Sequence, residues 1–212
     1  MMKPIALATF SLTLFTLAAC SSSSPVADKA LEDAVKVDSS SVAGIPADAK
    51  ILPLPEQACV SWVGTKKSGK HDGGFGSCAG KVILAPDGAL LGIEVTVDTT
   101  SLFSDSGMLT GHLKSADFFE VKTYPTATFV SSSVAQNEDG SYEVTGTFDV
   151  HGMKKERTFT ATSTQTGEAW AGTATMTFMR SDHAISTVDL TEEDPIADEV
   201  AMTVKLATTP EQ

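Results

Sequence analysis

Four histidines, His71, His112, His151 and His183, are the side chains of this chain best suited to proton or metal chemistry near neutral pH. Imidazoles that share a metal usually stand at close, regular spacing on one element, and no His-x-x-x-His pair occurs here. His71 and His151 fall near glycines where turns are expected, a setting for hydrogen-bonding residues. His112 stands beside a run of aromatic residues, where it could meet the polar end of a ligand or make a structural hydrogen bond. Nucleophilic chemistry has as little support. No Gly-x-Ser-x-Gly elbow is present, and the serines fall in tracts such as Ser131 to Ser133. The expectation is a protein with no catalytic residues, no metal site and no resident cofactor; a metal-assisted enzyme using the four histidines is the weakest alternative.

The three cysteines divide by position. Lys3 gives a short positive start, Ile5 to Leu17 is mostly apolar, and Leu17-Ala18-Ala19-Cys20 follows. That run is similar to a bacterial lipobox, which implies a signal peptide over residues 1–19, cleavage before Cys20 and lipidation of Cys20. An ordinary signal peptide cut nearby is the alternative, and either leader is excluded from the fold. Serine at position 21, where retained lipoproteins carry aspartate, implies the periplasmic side of the outer membrane. Residues 20–48 are rich in serine, alanine and acid and read as a flexible tether with a span of about 30 Å. Cys59 and Cys78 remain. An even pair in an oxidising compartment suggests a disulfide, worth roughly 3 kcal/mol in the chain-entropy model. They flank a glycine-rich reversal (Gly64, Gly69, Gly73, Gly74, Gly76); two buried thiols are the alternative.

From Ala58 onward the pattern alternates every second residue. Leu91, Ile93, Val95 and Val97 share one parity, as do Tyr142, Val144, Gly146, Phe148 and Val150. Trp170, Ala174, Met176 and Phe178 form a third set, and Val200, Met202, Val204 and Leu206 a fourth. Turn signals at Pro86-Asp87-Gly88, Asn137 to Gly140, Gly152 and Gly167 separate about eight strands. An antiparallel sheet with one apolar face buries it as a sandwich or as a closed barrel, and closure also removes exposed edges. Composition does not choose between the two. The formal net charge of −12 argues against a nucleic-acid partner, and no long apolar run outside the N-terminus could span a bilayer as a helix.

One stretch, Gly111 to Phe129, departs from the alternation. Phe118, Phe119 and Tyr124 stand among Lys114, Asp117, Glu120 and Lys122, a mixture fitting a short helix or turn near 110–120, laid across the mouth of an apolar cavity. Tyr124-Pro125 then ends any helix. Asp105, His112-Leu113, Asp117-Phe118-Phe119, Tyr124-Pro125 and Phe129 resemble the signature of YceI-like proteins. So do Gly64 to His71, Val144 to Gly152 and Arg180-Ser181-Asp182. After that last motif the family carries an aromatic residue and a glycine, where this chain has His183-Ala184. Arg180 and Asp182 are expected to pair with each other.

The resemblance covers residues 49–208 and implies an extended, lipocalin-like, eight-stranded antiparallel β-barrel. It also implies a polyisoprenoid or quinone-like amphiphile as ligand, and no enzyme activity. The expected lining is Trp62, Val95, Val97, His112, Phe118, Phe119, Phe129, Phe148, Trp170, Met176 and Phe178, with Phe159 also facing inward. Burying one isoprene unit gains roughly 3–4 kcal/mol gross at about 0.8 kcal/mol per methylene. The alternative is a solidly packed barrel serving as an interaction or stress protein. The expected partners are the lipid ligand and, through Cys20, a membrane; a homodimer stays open.

Overall fold

The computed structural model describes residues 45–185 and 193–208. The expected leader, Cys20 and residues 20–44 of the tether lie outside the described residues. In chain order the strands are β1 (Lys50–Gln57), β2 (Val60–Lys66), β3 (Gly69–Phe75), β4 (Cys78–Leu84), β5 (Leu90–Asp98) and β6 (Leu102–Ser104). After helix α1 (Gly107–Leu113) come β7 (Thr126–Gln136), β8 (Tyr142–Val150), β9 (Met153–Thr166), β10 (Ala169–Met179) and β11 (Glu199–Ala207).

Among the described residues eleven segments stand where about eight strands were expected, because three long strands are each interrupted by two or three residues. β1 and β2 are separated only by Ala58-Cys59, β3 and β4 by Gly76-Ser77, and β5 and β6 by a single 3-10 turn, Thr99–Ser101. The pairing continues across each break. β1 pairs with β4 and β2 with β3, while β4 pairs with β5 and β3 with β6. Rejoined, the halves make an eight-stranded antiparallel meander whose last strand, β11, pairs back onto β2. The sheet therefore curls on itself, and the barrel expected by resemblance is the fold. The breaks are pinned locally. Cys59 and Cys78 form the disulfide, with Cα atoms 6.0 Å apart, the Ser77 hydroxyl donates to Glu56 at 2.8 Å, and the Asp98 carboxylate accepts from the Thr100 amide at 2.8 Å.

The helical piece lies a few residues earlier than expected. Ser106 caps α1 by accepting from the Leu109 amide, and regular helix stops at Leu113. Beyond it the backbone folds into turns: the Phe119 amide donates to the Leu113 carbonyl (3.0 Å) and the Glu120 amide to the Ser115 carbonyl (2.8 Å). Tyr124-Pro125 then leads straight into β7. At the β8–β9 turn Gly152 has φ 73°, and a Cβ there would lie 2.9 Å from the Tyr124 ring. Side chains of alternating parity point inward and build two apolar clusters. The larger joins Val82, Leu84, Ile93, Val95, Phe129, Val144, Trp170 and Leu206. The smaller joins Phe118, Val150 and Ile185 beside the α1 connection.

Candidate functional site

The inward faces do not fill the barrel. They enclose a cavity of about 440 Å³, within the range of small-ligand sites. It runs from Leu90, Trp170 and Leu206 at one end to Leu109, Leu113, Phe118 and Phe119 at the end that carries α1. From Trp170 to Phe178 it follows β10 for roughly 26 Å of strand.

Glycine explains why a wall this aromatic leaves a bore. Trp62 pairs across strands with Gly73, and a Cβ at Gly73 would lie 2.2 Å from the indole ring. A Cβ at Gly146 would lie 2.5 Å from the Phe129 ring, and one at Gly172 would lie 2.4 Å from Trp170. Each ring thus lies against main chain that has no side chain to lift it, and covers the wall instead of standing into the lumen. Phe129, Phe148 and Phe159 then tile one side, with centroids 4.6 to 6.2 Å apart, distances at which aromatic pairs attract.

Ten of the expected lining residues border this cavity: Trp62, Val95, Val97, Phe118, Phe119, Phe129, Phe148, Trp170, Met176 and Phe178. His112 does not. Its ring sits edge-on to Phe118 at 4.9 Å, and its Nε2 faces the Asp117 carboxylate at 3.3 Å on the exposed side. A polar side chain on the outer face of a one-sided helix meets water. Leu109 and Leu113, one turn apart on α1, reach the cavity instead.

Charged groups gather at the α1 end. Lys66 pairs with Asp194 at 3.1 Å, and Asp194 also accepts from the Ser68 hydroxyl (2.5 Å) and amide (3.1 Å). The Ser68 hydroxyl, more than Lys66, holds the Asp194 carboxyl down at about 2. His71 Nδ1 meets Asp105 at 2.9 Å, and that bond keeps Asp105 below the usual carboxylate range. Buried Arg180 does not pair with Asp182. All three of its guanidinium nitrogens donate to main-chain carbonyls, those of Ala197 (3.0 Å), Ile196 (3.0 Å) and Ile185 (3.3 Å). Asp182 pairs with Arg157.

His183 is buried and stacks on Phe178 at 5.0 Å with the planes 8° apart. The aromatic contact of the motif is thus kept by an imidazole, whose Nδ1 donates to the Met153 carbonyl at 3.1 Å. Burial pushes its pKa below the ordinary histidine value. Ala184 stands at φ 52°, a left-handed conformation that glycine adopts without strain. Among the described residues no group of three or more histidines, cysteines or acids is placed to hold a metal ion. His71, Asp105 and Asp194, together with Arg180, went unrecognised at this site. Ser68 and Asp194 lie 126 residues apart, so no local pattern connects them.

An antiparallel meander curled around an apolar, ligand-sized bore defines a lipocalin-like binding fold. Residues 53–208 match the model of the YceI-like domain, and the chain belongs to that family. A UPF0312 protein of Pseudomonas putida is 43% identical over 81 residues, 38% of this chain and 42% of the relative. One from Vibrio parahaemolyticus is 37% identical over the same length, 43% of it. The chain thus spans about two fifths of the length of these curated relatives. Among solved structures, Burkholderia cenocepacia BcnA superposes with a TM-score of 0.65 at 28% identity, covering 72% of this chain and 96% of BcnA. A polyisoprenoid binding domain from Saccharophagus degradans superposes with a TM-score of 0.59 at 16% identity, covering 76% and 100%, a likeness of fold.

Proposed function

We propose that this protein is a lipid-anchored periplasmic binding protein that shelters the apolar tail of an isoprenoid or quinone-like amphiphile inside the barrel. One observation carries the reading: a cavity of about 440 Å³ whose wall is almost wholly aliphatic and aromatic. A solidly packed barrel would have no such space. At roughly 30 Å³ per methylene-sized group, by analogy with water in the liquid, it has room for about fifteen carbons, or three isoprene units. Enclosing them would gain on the order of 10 kcal/mol gross at about 0.8 kcal/mol per methylene, part of it offset by ordering the chain. A longer prenyl chain would leave its remaining units beyond the α1 end. Family membership and the named ligand class of the Saccharophagus domain support the tail chemistry. Lipidation of Cys20 and the tether would keep the barrel beside the outer membrane, where such chains reside.

Mass spectrometry of organic extracts from protein purified from its native host tests the reading. A stoichiometric prenyl lipid or quinone is the expected result, and an empty extract from protein shown to be folded would overturn it. The same preparation, labelled with radioactive palmitate, checks the anchor: label lost in Cys20→Ala supports it, and label retained refutes it.

A further inference from the structure

Exposed apolar side chains are spread unevenly over the barrel. Among the described residues the large ones are Ile51, Phe103, Met108, Met153 and Ile196. Ile51 is one residue from the Lys50–Leu84 pair, toward the Leu90 end. The other four stand at the α1 end. Met108, 88% exposed, sits on α1 one residue from Leu109, which lines the cavity. Ile196, 39% exposed, borders the cavity itself, in a segment held beside β2 by the Ala197 amide donating to the Thr65 carbonyl. Met153, 38% exposed, opens β9 at the β8–β9 turn. Phe103, 49% exposed, lies on β6 opposite Gly74, just before the helix. Single exposed apolar residues are ordinary, whereas a group of them marks an interaction surface. These four come from separate elements around one opening. They suit a plane laid across the mouth better than a peptide lying in a groove.

Charge separates the two ends. The turns at the Leu90 end carry exposed Asp87, Glu138, Asp139 and Glu168 and no lysine or arginine. At the α1 end Lys67 tips the β2–β3 hairpin, Lys114 follows the helix and Lys122 lies in the loop beyond. Asp105, Asp117, Asp182 and Asp194 each face a basic side chain there. Lys67, Lys114 and Lys122 have no acidic partner among the described residues. Apolar side chains interspersed with lysines match the boundary between acyl chains and anionic head groups.

We infer that the α1 end is a bilayer-docking face. Phe103, Met108, Met153 and Ile196 enter the head-group boundary, and Lys67, Lys114 and Lys122 meet lipid phosphates. The acidic turns keep the opposite end turned away, so the cavity mouth is held against the membrane. This orientation goes beyond tethering through Cys20 and is independent of what the bore holds.

Purified protein on vesicles of phosphatidylethanolamine and phosphatidylglycerol tests it, with a bimane label on Met108→Cys or, at the far end, on Glu138→Cys. Nitroxide-bearing lipid should quench the label at 108 and leave the label at 138 bright. Combining Phe103→Ser with Ile196→Ser should lower the ratio of docked to undocked barrels about tenfold, the worth of two half-buried apolar side chains. Melting curves should match the parent, because both residues are exposed. Protein retained on vesicles with 108 unquenched, or with both labels quenched alike, overturns the inference and leaves the anchor standing, as does an unchanged ratio in the double variant. Protein absent from the vesicles overturns both. A label at 108 that is shielded without vesicles, with a doubled mass in light scattering, would make the face a contact between two copies and overturn the inference.

Discussion

Gly172 offers the cleanest way to narrow the bore without disturbing the barrel. The three atoms nearest a Cβ there all belong to the Trp170 ring, Cη2 at 2.4 Å, Cζ2 at 2.8 Å and Cζ3 at 3.2 Å. In Gly172→Ala the ring must retreat by about 1.0 Å, from 2.4 Å to the 3.4 Å at which ordinary contact begins. Trp170 is buried against the barrel wall, so the free direction is the lumen. A tryptophan buries roughly 200 Å², about half on each face, so a 1 Å displacement sweeps about 100 Å³ of the 440 Å³ cavity. That is room for about three methylenes, or roughly 2.5 kcal/mol of tail burial at 0.8 kcal/mol each. Calorimetric titration should therefore show farnesyl acetate weakened by up to about fifty-fold, at 1.4 kcal/mol per factor of ten. Geranyl acetate, whose ten-carbon tail fits the remaining space, should keep its affinity. If the variant binds both esters as the parent does, the ring does not bound the ligand space, and the account of glycine keeping the bore open is wrong.

Three further substitutions probe other parts of the argument. Phe119→Asp places a carboxylate in the apolar wall and should abolish recovery of co-purified lipid while largely sparing secretion; normal lipid content in the mutant would remove Phe119 from the site. Ala184→Gly relieves a left-handed alanine, at roughly 1–2 kcal/mol of strain against about 0.5–1 kcal/mol of added unfolded-state freedom. Urea denaturation should show a gain of about 0.5–1 kcal/mol, and a loss would mean that the conformation carries no strain. His183 has a folded pKa below its unfolded one because burial disfavours the charged ring. The unfolded chain takes up the proton first, so its stability contribution is present above pH 6.5 and is lost as pH falls from there toward the folded value. The slope is at most about 1.4 kcal/mol per pH unit. His183→Phe should flatten denaturation midpoints across that window, and an unchanged slope would assign the acid sensitivity elsewhere.

Local alternation carried most of the fold, because each barrel strand is apolar on one parity and polar on the other. Trp170, Met176 and Phe178 could be placed on the lumen face by counting alone, and the structure puts them there. The three breaks were harder to see. Thr99–Ser101 is a single turn inside a run of β-forming residues, and it is set by the Asp98 carboxylate capping Thr100. His112 touches Phe118 yet stays outside the cavity, because Leu109 and Leu113 take the inward side of the short helix and the imidazole turns to Asp117 on the exposed side. Arg180-Ser181-Asp182 looked like an ion pair, yet a 3-10 turn (Arg180–His183) separates the two charges. Arg180 turns inward to carbonyls and Asp182 outward to Arg157. The charged rim depends on the approach of Ser68 to Asp194 and of His71 to Asp105, contacts that exist only after the barrel closes.

The broken strands also suggest where a tail would enter. β6 is three residues long and pairs with β3 alone, while β7 pairs with β5 on one side and β8 on the other. At the α1 end the wall between β6 and β7 is therefore not hydrogen-bonded sheet. It is the stretch from Asp105 to Pro125, held by turn hydrogen bonds and by Phe118 and Phe119. Opening a sheet seam would break a ladder of main-chain bonds, whereas displacing this stretch breaks side-chain packing, the His71–Asp105 contact and a few turn and strand-edge bonds. Local opening follows the weaker set of contacts. Hydrogen exchange in the ligand-free protein should accordingly run faster at the Phe119 and Glu120 amides than at Val144 or Val95 in the sheet. A bound tail should protect the two loop amides most, and equal protection in loop and sheet would place the way in elsewhere.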